Sequence, residues 1–296
     1  MKIKKSTSSK IFDFCNITFM ILFGITVLFP IWNMLVISFS AKEDISFMSV
    51  NLFPKHFELG AYAYCFQNDQ FYHAFVISVL RTSIGMVYHV LLCACAAYSL
   101  SRMDLPFRKI ILFYLLIPMF ISGGLIPTYV NMKNLGLLNN FLVYVLPVGF
   151  SIYDTVILKN YFLSLDRSLE EAATVDGASY FRIFFQIIFP LATPILATIA
   201  LWSMVSQWNA WFDNLIYCRQ ENLLTLQYLL RKMIMETEAL TRDASIAMMD
   251  ESSVLAFNSE NIRSATTILI ILPIVLVYPF LQKYLVKGMM AGAIKG

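Results

Sequence analysis

Charge is scarce in this chain: Asp, Glu, Lys and Arg make up 14% of its residues, where a soluble domain carries about a quarter. With 58% hydrophobic residues and a mean hydropathy of +0.67, too few solvated groups remain to cover a core of this size. A soluble globular enzyme is therefore excluded, and the chain falls in the membrane class. The net charge of +3 is small and the basic residues form no single stripe, which excludes nucleic acid as a partner. Histidine is rarer still. His56, His73 and His89 show no metal-ligand spacing, and no nucleophile and base stand at a recognised distance, so nothing marks an intramembrane enzyme, a metal site or a cofactor. The five cysteines show no ligand spacing either: Cys93 and Cys95 lie in an apolar run and face different sides of a helix. Cys65 and Cys218 both fall in segments expected outside, which leaves a disulfide open. A Gly-x-x-x-x-Gly-Lys-Ser/Thr phosphate loop is also missing, so any work drawn from ATP must come through a separate subunit.

What the chain has in quantity is long apolar runs. A helix needs about 20 mostly apolar residues to cross a bilayer, and six runs qualify: 13–39, 72–99, 108–130, 140–162, 190–217 and 264–286. Internal prolines such as Pro30, Pro118, Pro147 and Pro273 are tolerated there because neighbouring helices satisfy the freed carbonyls. The first run is too long for the core of a signal peptide. Basic residues set the orientation. Lys2, Lys4, Lys5 and Lys10 precede the first run; Arg102, Arg108 and Lys109 follow the second; Arg167 and Arg182 follow the fourth; Lys287 and Lys295 follow the last. Both termini are thus expected in the cytoplasm of a multi-pass protein, an all-α single transmembrane domain over 1–296. Outer segments run over 41–70 and 218–263, the second with leucines at helical spacing over 223–232 that predict an amphipathic helix.

The informative segment is the predicted inner loop over 164–189. Ser168 followed by Glu171 has the spacing of a capping box, Gly177 suits a helix-ending left-handed turn, and Ser179 can cap a second short helix. Phe181, Phe184, Phe185 and Ile188 are spaced to share one face of that second helix, and Pro190 suits the start of the fifth run. A stiff helix-turn-helix with an acidic first half results, an element suited to transmitting force.

Here the chain resembles the permease subunits of binding-protein-dependent ABC importers. Glu171-Ala172-Ala173, Asp176-Gly177-Ala178, Phe184, Ile187 and Pro190 match their "EAA" signature in order, spacing and position before the penultimate span. Pro190-Leu191-Ala192-Thr193-Pro194-Ile195-Leu196 and the glycine-rich ending Gly288 to Gly296 resemble the carbohydrate uptake branch with maltose-type second permeases. Phe120 to Tyr129 with Leu135-Gly136-Leu137 resembles the oligosaccharide and aldouronate permeases of Gram-positive bacteria. The resemblance implies a type I importer permease fold in a bacterial cell membrane. It also implies a second homologous permease subunit, two ATPase subunits, an extracytoplasmic solute-binding protein and an oligosaccharide substrate. Glu171, Ala172, Ala173, Asp176, Gly177, Ala178, Phe184 and Ile187 would couple to an ATPase subunit, with Glu171 facing a basic group there. The tail over 287–296, with Gly292, Lys295 and Gly296, would reach between the two ATPase subunits.

Ionisable residues within membrane runs usually face a cavity or one another. Arg81 and Asp154 are candidates for the solute path or for helix pairing, with His89 nearby in the second run. Trp208, Asn209 and Asp213 carry the group types that bind sugars, although an indole such as Trp211 also suits an aromatic belt. Two rival functions stay open: an ABC permease for a non-sugar solute, and a secondary transporter, for which inverted repeats and an ion site would be needed but neither is seen.

Overall fold

The computed structural model describes residues 7–41, 44–45, 52–67, 69–235 and 260–279. In chain order the helices are α1 (Thr7–Ser38), α2 (Gly60–Gln67), α3 (Asp69–Ser101), α4 (Arg108–Phe120), α5 (Leu125–Asn134) and α6 (Ile152–Leu163). They continue with α7 (Ser168–Val175), α8 (Tyr180–Leu191), α9 (Thr193–Asn209), α10 (Phe212–Tyr217), α11 (226–235) and α12 (Glu260–Pro279). Among the described residues, pairing of extended backbone is limited to one bridge, Ser40 with Phe57.

Among the described residues three helices, α1, α3 and α12, are long and apolar enough to cross a membrane, and the number rises to five if two bent pairs each count once. The departures from six straight spans have local causes. The run 108–130 is broken into α4 and α5, bent by 116° at Ser122-Gly123-Gly124, where Gly124 takes φ +83°, a conformation that side chains disfavour. The run 140–162 yields only a 3₁₀ turn at Phe141–Tyr144 and the 12-residue α6, because the backbone between them, including Pro147 and Gly149, is not helical. The run 190–217 divides twice. An 82° bend separates α8 from α9, so Pro190 ends one helix and does not open the span, and Ala210 with Trp211 separates α9 from α10.

The chain divides into two compact units. The first holds residues up to 68 and 232–271. Its loop after α1 is pinned by Asn261, whose Nδ2 donates to the Ser40 carbonyl (2.8 Å), and by the Phe39 ring packed on Phe57 and Tyr62. Cys65 lies 3.5 Å from the Thr266 hydroxyl and is a free thiol, as is Cys218 of the second unit.

The second unit is organised by α3, which packs along both α9 and α6. Cys93, Ala94 and Ala97 are fully buried, and their small side chains let the neighbouring helices approach closely. The main core joins them to Leu158 and Phe162 of α6, Ile183, Phe184 and Ile188 of α8, and Leu196 and Ile199 of α9. The expected amphipathic helix starts at 226 with Thr225 as its cap, and Leu223, Leu224, Leu226 and Leu229 are buried. Ser78 of α3 accepts from the Leu226 N–H (2.8 Å), so this segment rests on the bundle.

Gly85 marks a close approach between α3 and α9. A Cβ there would lie 2.6 Å from Nε2 of Gln207, a buried amide held by Arg81 and by the Tyr144 carbonyl. Gly85→Ala should therefore destabilise the detergent-solubilised protein by about 1–3 kcal/mol, seen as a lower melting temperature. Gly24→Ala, at a glycine with open space around it, should leave the melting temperature unchanged or slightly raised.

Candidate functional site

Between α6 and α9 stand two helices, α7 and α8, joined by a turn at Gly177. The start of α7 is capped by Asp166, whose Oδ1 accepts from the Ser168 N–H (3.0 Å), and not by Ser168 as the Ser-x-x-Glu spacing suggested. That bond holds the Asp166 carboxyl below the usual carboxylate range. The end of α7 is a Schellman turn: the Ala178 N–H donates to Ala173 (2.9 Å), the Gly177 N–H donates to Thr174 (3.0 Å), and Gly177 takes φ +79°. Ser179 accepts from the Arg182 N–H and so caps α8.

The signature residues divide by exposure. Glu171, Ala172, Asp176 and Gly177 are exposed, and Val175 beside them is 88% exposed, an apolar side chain left to water or a partner. Ala173, Ala178 and Ile187 are half-buried against the main core. Phe184 is buried and stacks on Tyr98 of α3 with centroids 5.0 Å apart, so it anchors the pair and presents nothing outward. The expected face of Phe181, Phe184, Phe185 and Ile188 is only partly realised, because Phe181 is 73% exposed and Ile183 is buried in its stead. A π-helical turn over Phe184–Ile188 is the reason: its wider turn shifts the spacing away from the i, i+3, i+4 pattern.

In the sequence, Arg102 stands out only as a topology signal. In the structure it follows α3 directly and joins three segments. Its Nε and Nη2 donate to Asp104 (3.0 and 3.1 Å), its Nη1 donates to Glu170 of α7 (3.0 Å), and its guanidinium lies 4.2 Å from the Tyr180 ring centroid at the start of α8. Arg102 holds the Asp104 carboxyl below its ordinary pKa, and the same pair raises that of Arg102. Arg108 donates to the Leu100 carbonyl (2.6 Å) and closes the end of α3. A cleft of about 500 Å³ beside this cluster is lined by Arg102, Asp104, Arg167, Glu170, Glu171 and Thr174. Apart from position, the signal for Arg102 was an arginine closing an apolar run with an aspartate two residues on.

The candidates for the solute path are brought together only in part. Arg81 is 1% exposed, and its five hydrogen bonds go to Asp213, Gln207 and the Ala210 carbonyl. Its guanidinium also lies 4.5 Å from the Tyr144 ring centroid. Ala210 is the break between α9 and α10, so Arg81 and Asp213 together satisfy backbone that the broken helix has freed. Asp154 pairs instead with His89 (Nε2 to Oδ2, 3.0 Å), while His89 Nδ1 donates to the Val148 carbonyl (3.0 Å). Trp208 is buried and lines an apolar crevice with Val79, Thr82, Leu201 and Tyr278. Asn209 is exposed and accepts from Gln227 (3.2 Å). Gly292, Lys295 and Gly296 lie outside the described residues.

Removing one partner of a buried ion pair costs about 3–5 kcal/mol. Asp213→Ala should therefore destabilise the protein more than Arg81→Met combined with Asp213→Ala, as read by thermal unfolding in detergent. Additive losses in the two single variants would contradict the pairing.

Residues 89–291 match the family model described as "Binding-protein-dependent transport system inner membrane component". The chain is 33% identical over 288 residues to the polygalacturonan/rhamnogalacturonan transport system permease protein YtcP of Bacillus subtilis strain 168, covering 97% of this chain and 99% of that one. It is 33% identical over 289 residues to protein LplC of the same organism, covering 98% and 96%. Among solved structures, a chain from a bacterial ABC transporter involved in the import of the acidic polysaccharide alginate superposes with TM-score 0.84 at 29% identity, covering 96% of this chain and 100% of that one. The match over most of its length shows that this chain belongs to the family of binding-protein-dependent transport system inner membrane components.

Proposed function

We propose that the chain is one of two permease subunits of an ATP-driven importer of oligosaccharides, delivered by an external binding protein. In this reading it crosses the membrane six times with both termini in the cytoplasm, α4 with α5 forming one broken span and α9 with α10 the fifth, while α8 stays with α7 in the inner loop. The turn between α7 and α8 docks into an ATPase subunit. The observation that carries the reading is the division of labour in that helix pair. Its exposed edge holds Glu171, Ala172, Asp176 and Gly177, while its other side is fixed in the core through Phe184 and Ile188. A body gripped on one side and fixed on the other moves the bundle when it is pulled. The sequence has no phosphate loop of its own, which agrees with a partner supplying the energy. The carbohydrate assignment draws on relatives whose names state transport of polygalacturonan, rhamnogalacturonan and alginate.

For the solute path, the roles divide with the geometry. Arg81 and Asp213 hold the break at Ala210, Asp154 holds the start of α6 through His89, and Asn209, exposed at the end of α9, is the side chain best placed to meet a sugar hydroxyl. Trp208 belongs to the packing of α3 against α9, and the tail residues Gly292, Lys295 and Gly296 reach between the ATPase subunits.

Three measurements test this. The chain purified from its native membrane should bring with it a second permease and an ATPase. Vesicles of that complex should take up labelled oligosaccharide only with ATP and binding protein; uptake that survives ATP removal and collapses with an ionophore would assign a secondary transporter instead. Gly177→Val forces a β-branched residue into the left-handed region, where an L-residue is disfavoured by about 1–2 kcal/mol. It should lower the recovery of ATPase with the permease by about tenfold, with little change in the amount of permease in the membrane.

A further inference from the structure

Glu170 and Glu171 are neighbours in the first turn of α7 yet point to different surroundings. Glu171 is exposed, whereas Glu170 is half-buried and bonded to Arg102. Successive residues on a helix lie about 100° apart, so a partner that grips the Glu171 side leaves the Glu170 side free to pull on whatever it holds. It holds the first residue after α3.

The guanidinium of Arg102 is used on two edges and one face. Asp104 takes Nε and Nη2 as a fork, which fixes the plane; Nη1 then points at Glu170, and the flat face lies over Tyr180. A lysine ammonium has no plane to fix and makes no such three-way contact. The ions are a quarter exposed, at 24% for Arg102 and 25% for Glu170, and pairs this accessible add little to stability. The stability of the helix pair rests instead on Phe184, Ile183 and Ile188 in the core. What the ion pair adds is direction: it is a polar tie between α7 and the end of α3, the helix against which both α6 and α9 pack.

We propose that Arg102 is a positioning residue for transport, tying the α7–α8 pair to α3 through Glu170 and Tyr180 so that displacement of the pair becomes displacement of α3. The proposal rests on the importer reading above. It implies that loss of the tie leaves a folded complex that hydrolyses ATP without moving its solute in proportion.

The test uses the whole complex, with its second permease, ATPase subunits and binding protein, in liposomes, and reads solute moved per ATP hydrolysed. Arg102→Gln and Glu170→Gln should each lower that ratio by about tenfold, with complex recovery and melting temperature nearly unchanged. The double variant should be no worse than either single one, and Arg102→Lys should fall between. An unchanged ratio in either single variant would overturn the proposal. So would single-variant losses that multiply in the double variant, or a loss confined to the amount of complex with the ratio per complex kept. Absence of ATP-driven uptake by the unsubstituted complex is a different result: it overturns the importer reading itself, and this inference with it.

Discussion

Backbone that leaves helical form inside hydrocarbon must find new hydrogen-bond partners, because no water is there to supply them. This chain breaks its helices repeatedly, and α3 supplies much of the repair. Going down that helix, Ser78 accepts from the Leu226 N–H, Arg81 donates to the Ala210 carbonyl, and His89 donates to the Val148 carbonyl. Cys93 accepts from the Ser151 N–H and donates to the Ser151 carbonyl. These side chains stand three, eight and four residues apart, one stripe of an unbroken helix of 33 residues. The irregular segments depend on the regular one. Gly85 belongs to the same stripe for the opposite reason, since its missing side chain lets Gln207 reach Arg81.

That arrangement explains why some of the fold was legible in the sequence and some was not. The spans of α1 and α3 follow from apolar length alone, and the turn at Gly177 from local backbone chemistry, so both could be read directly. The breaks in the other runs could not. Pro147, Gly124 and Ala210 are compatible with a straight span as well as a broken one, and what decides is whether a partner far away in sequence can satisfy the freed groups. Arg81 and Asp154 drew attention as buried charges, but their partners, Asp213 and His89, are a tertiary fact. The cap of α7 falls to Asp166 and not to Ser168, because both lie within reach of the first turn and two residues of offset decide which side chain accepts. The face of α8 was displaced by its π turn, which a 3.6-residue period does not anticipate.

At the other end of α3 the balance of forces changes. Arg102 and Glu170 are a quarter exposed and Asp104 more than half, so their ion pairs are screened and weak beside the core contacts of Phe184 and Tyr98. Strong apolar anchoring with weak, directional polar ties suits an element that has to shift without coming apart. The buried Arg81 network is the reverse, with each N–H of the guanidinium committed and little room for alternatives.

Arg81 and Asp213 are 132 residues apart in the chain, which bears on biosynthesis. When α3 leaves the ribosome its counter-ion has not been made, and the arginine enters the bilayer at a cost of about 2.5–3.5 kcal/mol on insertion scales. The apolar residues flanking it in α3 have to cover that debt alone until α9 and α10 arrive. The apolar length of α3 therefore serves the insertion of an unpaired arginine as well as the span of the finished membrane.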